Sequence, residues 1–233
     1  MSLLAAPVFL RAQAPDAPAL VFVLVDASLT IPDLNDFHKA WKTLSDRAVG
    51  GDRVVIAVVS GHTGKKENSA LTETADRELP RKGWNDNPFT YDESLAAVRT
   101  LLTTDFEAAL TTPRPDRTEL LRSIRDAGRY LGAEKKRQKI LVILSDMLQD
   151  SVEYRFDRTP LSEPFTKNVI AKAQKDQTLP DLHGVKVYTQ VPGVAPPAKA
   201  DQVERFWIAY LSASGAQIDQ HTYGTLANYR RQQ

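Results

Sequence analysis

The stretch Ala19–Thr30, ALVFVLVDASLT, decides the fold. Its first seven residues are apolar without a break and rich in valine. A strand that shows one face to water alternates apolar and polar residues. This one does not, so it reads as a strand buried on both faces, as in a parallel sheet. The chain then leaves the strand through Asp26-Ala27-Ser28-Leu29-Thr30, which places a carboxylate and two hydroxyls at alternate positions.

Leu34, Phe37, Trp41, Leu44 and Ala48 follow at helical spacing, which predicts an amphipathic helix over 33–48 opened by Pro32. A turn at Gly50-Gly51-Asp52 leads into Val54–Val59, a second buried strand. Such strand–helix–strand units are parallel and right-handed. Residues 60–90 are polar and show no period, so they read as an irregular insertion. Trp84, Phe89 and Tyr91 near its end suggest that this part packs on something. The helical period returns at Asp92, with Leu95, Val98, Leu102, Phe106 and Ala109 on one face. After a break at 111–115, a helix is predicted from near Asp116, with Glu119 at capping-box spacing. Ile140–Leu144 is a third buried strand and ends at Ser145-Asp146. The remainder predicts a short helix over 165–177 and an alternating strand near a sheet edge at 185–191. A last helix carries Val203, Phe206, Trp207 and Tyr210 and stops at Gly215, and a short final strand follows at 218–223. The pattern is that of a Rossmann-like three-layer α/β sandwich, a mostly parallel central sheet flanked by helices. It implies one domain over 19–224, an N-terminal arm or strand at 1–18 and a C-terminal tail at 225–233.

Thirty Lys and Arg stand against 29 Asp and Glu among 233 residues, a net charge of +1. That balance argues against a nucleic-acid or polyanion binder. The absence of cysteine excludes disulfides, iron–sulfur clusters and a thiol nucleophile. The four histidines show no zinc spacing. No apolar run approaches the roughly 18 residues of a membrane span. Leu3–Leu10 is apolar and Ala12-Gln13-Ala14 has the form of a cleavage site, but no basic residue precedes it and Pro7 interrupts it. We read Met1-Ser2-Leu3 as an added start whose native leader is gone, which leans towards an exported or cell-surface protein.

Asp26, Ser28 and Thr30 sit at the carboxyl end of the first strand, the edge at which open α/β sheets bind ligands. They are hard oxygen donors suited to Mg²⁺ or Mn²⁺. The same residue types also cap helices, so capping of the next helix is the alternative use. Asp146 ends the third strand on the same edge if the strands are parallel, and Thr118 opens a helix there.

With these residues in view, the chain resembles the von Willebrand factor A domain family. The order D-x-S-x-T, then a Thr, then an Asp after a buried strand is similar to that family's metal-ion-dependent adhesion site. The segments T-E-L-L-R-S-I and KILVILSD look like its flanking stretches. The resemblance implies that the hydroxyls of Ser28, Thr30 and Thr118 contact a Mg²⁺ or Mn²⁺ ion directly or through water, while Asp26 and Asp146 hold the waters and orient the hydroxyls. It further implies that a carboxylate from a partner protein completes the shell, so that the domain binds rather than catalyses. Thr30 stands where the family has a second Ser, Ser145 where it often has Thr, and Arg117 where Gly is common. Tyr154, Arg155, Phe156 and Trp84 are candidate partner contacts. Two other readings start from the same residues. One keeps the fold as a metal-independent scaffold. The other is a haloacid-dehalogenase-like phosphatase with Asp26 as nucleophile and Asp146 or Asp150 as Mg²⁺ ligands, in which Ser28 stands where that chemistry needs an acid.

Overall fold

The computed structural model describes residues 17–28, 31, 33–59, 71–112, 117–193 and 196–230. Most of the proposed N-terminal arm, with Thr30, Pro32, Asp116 and the first part of the 60–90 stretch, lies outside them. The strands are β1 (Ala19–Val25), β2 (Arg53–Val59), β3 (Leu71–Glu78), β4 (Gln138–Leu144) and β5 (Val185–Gln190). The helices are α1 (Asn35–Arg47), α2 (Pro88–Thr111), α3 (Leu120–Ala133), α4 (Glu163–Lys175) and α5 (Pro197–Ala213).

The five strands form one sheet in the order β3-β2-β1-β4-β5. β1 pairs in parallel with β2 and β4, β4 pairs in parallel with β5, and β3 alone runs antiparallel, against β2. Every residue of β1 is buried, because helices cover both faces. Leu20, Phe22 and Leu24 pack into a core with α3, α4 and α5. Their neighbours Val21, Val23 and Val25 face the opposite way, towards α1 and α2. On that second face Trp41 of α1 stacks on Phe106 of α2, with ring centroids 4.6 Å apart, and its Nε1 donates to Thr103 at 3.1 Å. The layered α/β architecture read from the apolar runs is the one observed.

The structure departs from the sequence reading in four places. First, the 60–90 stretch is not irregular throughout: Leu71–Glu78 is β3. Its charged residues hid it, and they suit an edge strand, where charge discourages pairing with other chains. Asp76 binds Arg53, and Arg77 binds Asp105 of α2. Second, α2 begins at Pro88 rather than Asp92, with the Asn87 side chain accepting from the Phe89 N–H at 2.9 Å. Trp84 and Phe89, expected to pack, are 98% and 72% exposed. Third, 218–223 is not a strand. The Asp219 carboxylate takes the N–H groups of His221 and Thr222 at 2.8 and 3.1 Å and turns the chain. Even so, Gln217, Thr222 and Gly224 supply carbonyls to Val187, Thr189 and Val191, which covers the outer edge of β5. Fourth, two residues of the expected tail pack into the domain: Leu226 and Tyr229 are buried in the core beneath α1.

Arg230 completes that packing. Its guanidinium donates to both oxygens of Asp52 at 2.8 and 3.1 Å. Asp52 is fully buried and also accepts from the N–H groups of Ala19 and Val49 at 2.7 and 2.9 Å. One carboxylate therefore ties the start of β1, the turn before β2 and the C-terminal segment together. Arg230→Ala leaves that carboxylate buried without its cation. We expect a loss of about 3 kcal/mol, within the range for breaking a buried pair. Denaturant titration checks it, and a loss below about 1 kcal/mol would make the pair no stronger than an exposed one.

Candidate functional site

The strand order reverses between β1 and β4, since the chain crosses from β1 to β2 on one side and reaches β4 on the other. The crevice beyond the carboxyl ends of strands at such a point is where open α/β sheets bind ligands. Asp26 follows β1 directly, and Ser145 and Asp146 follow β4. The pairing of Val25 with Leu144 sets them side by side. The ladder runs one step past the strands, with the Asp26 N–H donating to the Leu144 carbonyl at 2.8 Å.

Asp26 is fully buried, and Ser28, Ser145 and Asp146 are almost so. Asp26 Oδ1 accepts from the Ser28 N–H at 3.0 Å, and its Oδ2 accepts from Ser145 Oγ at 2.6 Å. Ser145 Oγ in turn accepts from the Met147 N–H at 2.9 Å, and Asp146 Oδ1 accepts from the Leu148 N–H at 2.9 Å. The turn that makes this possible holds Met147 at φ 61°, a left-handed conformation uncommon for a residue with a side chain. Its buried side chain, and a bond from Trp207 Nε1 to its carbonyl at 2.8 Å, keep it there. Burial pushes the Asp26 carboxyl up to about 6, and the adjacent Asp146 charge pushes the same way; the bonds from Ser145 and Ser28 pull it down.

The two readings of the Asp26–Thr30 string now separate. α1 starts only at Asn35 and its cap residue, Leu34, makes no side-chain bond. Asp33 serves that end, accepting from the Asn35 N–H at 2.8 Å. Asp26 and Ser28 therefore do not cap α1; they face the end of β4.

Thr118 is buried and exchanges both backbone bonds with Asp150, at 3.0 Å each. This ties it to the segment that leaves Asp146. The expected capping box at α3 gives way to a cap from that segment. Glu119 is the N-cap without a side-chain bond, and the Gln149 side-chain carbonyl accepts from the Leu121 N–H at 3.0 Å. Arg117 is exposed, and its charge acts on Glu119.

The four candidate partner contacts scatter. Phe156 is fully buried, 4.6 Å from Phe206 between ring centroids, so it is a core residue and offers a partner nothing. Trp84 lies at the wrong edge. β3 runs antiparallel, so its end at Glu78 lies beside Arg53, where the parallel strands begin, and Trp84 follows from there. Arg155 pairs with Asp150 at 3.2 Å and remains half-exposed. Tyr154 is half-buried, edge-on to Phe165.

The chemistry of this rim is that of hard oxygen: two adjoining carboxylates and the hydroxyls of Ser28 and Ser145. Among the described residues no group of three or more His, Asp or Glu forms a metal site. A cation here would thus depend on hydroxyls and few charges, and the donor set fits Mg²⁺ or Mn²⁺ and not a soft metal. As a nucleophile Asp26 is badly placed, buried with both oxygens engaged. Ser145 is the member that sequence reasoning left out of the site. The signal was the Ser before Asp146, but only the pairing of β1 with β4 shows that its hydroxyl reaches Asp26.

Neither a protein-family description nor any curated protein matches this chain. Among solved structures, the chain is similar to the pilus adhesin SpaC from Lactobacillus rhamnosus GG, at 12% identity and TM-score 0.47, over 88% of this chain and 28% of that one. It is similar to a von Willebrand factor type A protein from Catenulispora acidiphila, at 12% identity and TM-score 0.40, over 87% and 44%. It is also similar to manganese-loaded TRAP protein from Plasmodium vivax, at 13% identity and TM-score 0.42, over 89% and 67%. The chain spans less than half of the first two. No described helix is long and apolar enough to cross a membrane.

Asp26 gives the site a pH signature. Unfolded, its carboxyl titrates near 3.8; folded, at about 6. Between those values the folded state binds more protons, so this group adds stability as pH falls from about 6 to about 4. Its ionised form costs about 2–3 kcal/mol at neutral pH, at about 1.4 kcal/mol per pKa unit. In chelator-treated protein, the stability difference between wild type and Asp26→Asn is expected to change by about that amount between pH 4 and 7. A difference flat across that range, measured by urea unfolding, would mean that Asp26 titrates as in water.

Proposed function

We propose that this chain is an A-type binding domain that holds a divalent cation, Mg²⁺ or Mn²⁺, at the switch point of its sheet and engages an acidic residue of a partner protein there. The observation that carries this reading is the buried cluster of Asp26, Ser28, Ser145 and Asp146. Two carboxylates adjoin where the strand order reverses, and the groups that act most on Asp26 are Asp146, Ser145 and Ser28.

In this reading Ser28 and Asp146 hold the cation, together with Thr118 and Thr30 by the family resemblance. Asp26 orients Ser28 and Ser145 and supplies charge from behind. A cation so held supplies a Lewis-acidic point for an incoming carboxylate. The chain's own part is to bury the acids, fix their rotamers and keep the direct ligands mostly neutral, so that the cation retains affinity for a further anion. Asp26, buried and doubly bonded, is suited to orienting and not to attack, which favours binding over phosphoryl transfer. Arg155 and Tyr154, on the segment beyond Asp146, are the places at which a partner would add contacts.

Calorimetric titration of Mg²⁺ and Mn²⁺ into chelator-treated protein tests it. The expected result is saturable one-to-one binding, weakened about tenfold or more, about 1.4 kcal/mol, by Asp146→Ala and by Thr118→Ala. Binding unchanged in both variants would move the cation elsewhere. The absence of binding by the wild type, with no partner recruited by Mn²⁺, would leave the metal-independent scaffold.

A further inference from the structure

The loop that leaves Asp146 has a second side. Behind it lies a cavity of about 210 Å³ between the start of α3, residues 149–154, α4 and α5. Leu121, Val169, Ala173 and the rings of Tyr154 and Tyr210 form its apolar wall, and Gln149, Arg125, Arg122, Ser151 and Lys172 bring polar groups to it. Glu119 and Glu153 also line it.

Most of these charges are already matched. Lys172 lies between Glu153 and Asp176, at 3.3 and 2.5 Å. Arg122 acts on Glu119, lowering a carboxyl that burial raises. Two donors are not matched. Gln149 is 1% exposed. Its side-chain carbonyl is committed to the Leu121 N–H, and its amide nitrogen, wholly buried, makes no hydrogen bond. The Glu119 carboxyl lies near enough to feel that amide but outside bonding geometry. Arg125 Nε is likewise buried without a hydrogen bond. Asp126 stands 3.8 Å from it, an ion-pair distance and too long for a bond. A buried donor without an acceptor is costly, and native interiors rarely leave two beside one cavity. Tyr210 reinforces the donor character: burial raises its phenol, so it keeps its proton, and the Arg125 charge acts on it.

We propose that this cavity binds a small organic carboxylate. Its oxygens would accept from Gln149 Nε2 and Arg125 Nε, and its apolar body would lie against Leu121, Val169 and Tyr210. A carboxylate suits the pair because it offers acceptors on two oxygens and answers the Arg125 guanidinium, whose carboxylate neighbour Asp126 stands beyond bonding distance. The aliphatic and aromatic wall selects for a hydrocarbon tail over a bare inorganic anion. The proposal does not rest on the cation site, which uses the other side of the 146–150 segment.

The test uses the full chain with acetate, butyrate and benzoate as probes, read by calorimetry and by NMR shifts of the Gln149 side-chain amide. Benzamide and sulfate serve as controls. Saturable binding is expected, tighter for butyrate or benzoate than for acetate. Gln149→Glu keeps an acceptor for Leu121 while replacing the donor with a negative charge, and it should weaken binding about tenfold or more. Arg125→Met, which keeps the aliphatic stem of a side chain 23% exposed, should do the same without loss of folding, as judged by circular dichroism. No saturable response to any of the three carboxylates overturns the proposal and assigns the cavity to water. Equal binding of benzamide or of sulfate overturns the assignment of ligand class. Binding unchanged in both variants places the carboxylate elsewhere.

Discussion

The parallel pairing of β1 with β4 is the constraint on which the rest of the molecule depends. It is a residue-for-residue register from Ala19 against Gln138 to Val25 against Leu144. A shift of one residue would turn every side chain of β1 to the other face and mix two cores that are now separate. The same register decides what meets beyond the strands. With Val25 opposite Leu144, Asp26 comes beside Ser145, and the two bond at 2.6 Å. The crossover directions around β1 then place this meeting point at the switch in strand order.

Among the described residues Asp26 and Asp52 are the fully buried acids, and the protein treats them differently. Asp52, at the end where the parallel strands begin, receives a two-point guanidinium from Arg230 and two backbone N–H groups. Its charge is answered inside the chain, and it serves as a clamp. Asp26, at the opposite end, receives the Ser145 hydroxyl and the backbone N–H and side chain of Ser28, but no cation, and faces a second acid. Its carboxyl is accordingly raised to about 6. Its ionised form is held at a cost that a neighbouring cation would lower. The contrast within one sheet is what makes the Asp26 end the candidate site and the Asp52 end a clamp.

The parts legible in the sequence were those whose cause is local. β1, β2 and β4 are unbroken apolar runs because both faces are buried, and no other arrangement accommodates Ala19–Val25 as readily. Asp26 and Asp146 could be named because they end such runs. What depends on distant segments could not be read. β3 carries Arg77 and Asp76, whose partners Asp105 and Arg53 are far away in sequence, so the strand looked like loop. Gln149 caps α3 from across a turn, where local spacing had pointed to Asp116 and Glu119. Phe156 sits in an irregular stretch that resembles a surface loop, yet Phe206 and Trp207 enclose it. Trp84 differs for the opposite reason: a large aromatic reads as a packed residue, yet it stands 98% exposed.

The segment from Ser145 to Phe156 joins these threads. Its backbone is fixed at several points: Met147 by Ser145 and Trp207, Gln149 by Leu121 and by the Phe156 N–H, and Asp150 by Thr118. None of these bonds belongs to a helix or to the main sheet, so the segment is held by isolated backbone bonds and by side chains that the core places. That is why the core residues Trp207 and Phe156 matter to a rim they do not touch. Groups held in this way enter binding with their rotamers already chosen, and association need not supply the order again. A loop free to move would bring the same carboxylate and amide to solvent and let water satisfy them. Fixed against α3 and α5, the segment instead presents Asp146 on one side and the Gln149 amide on the other.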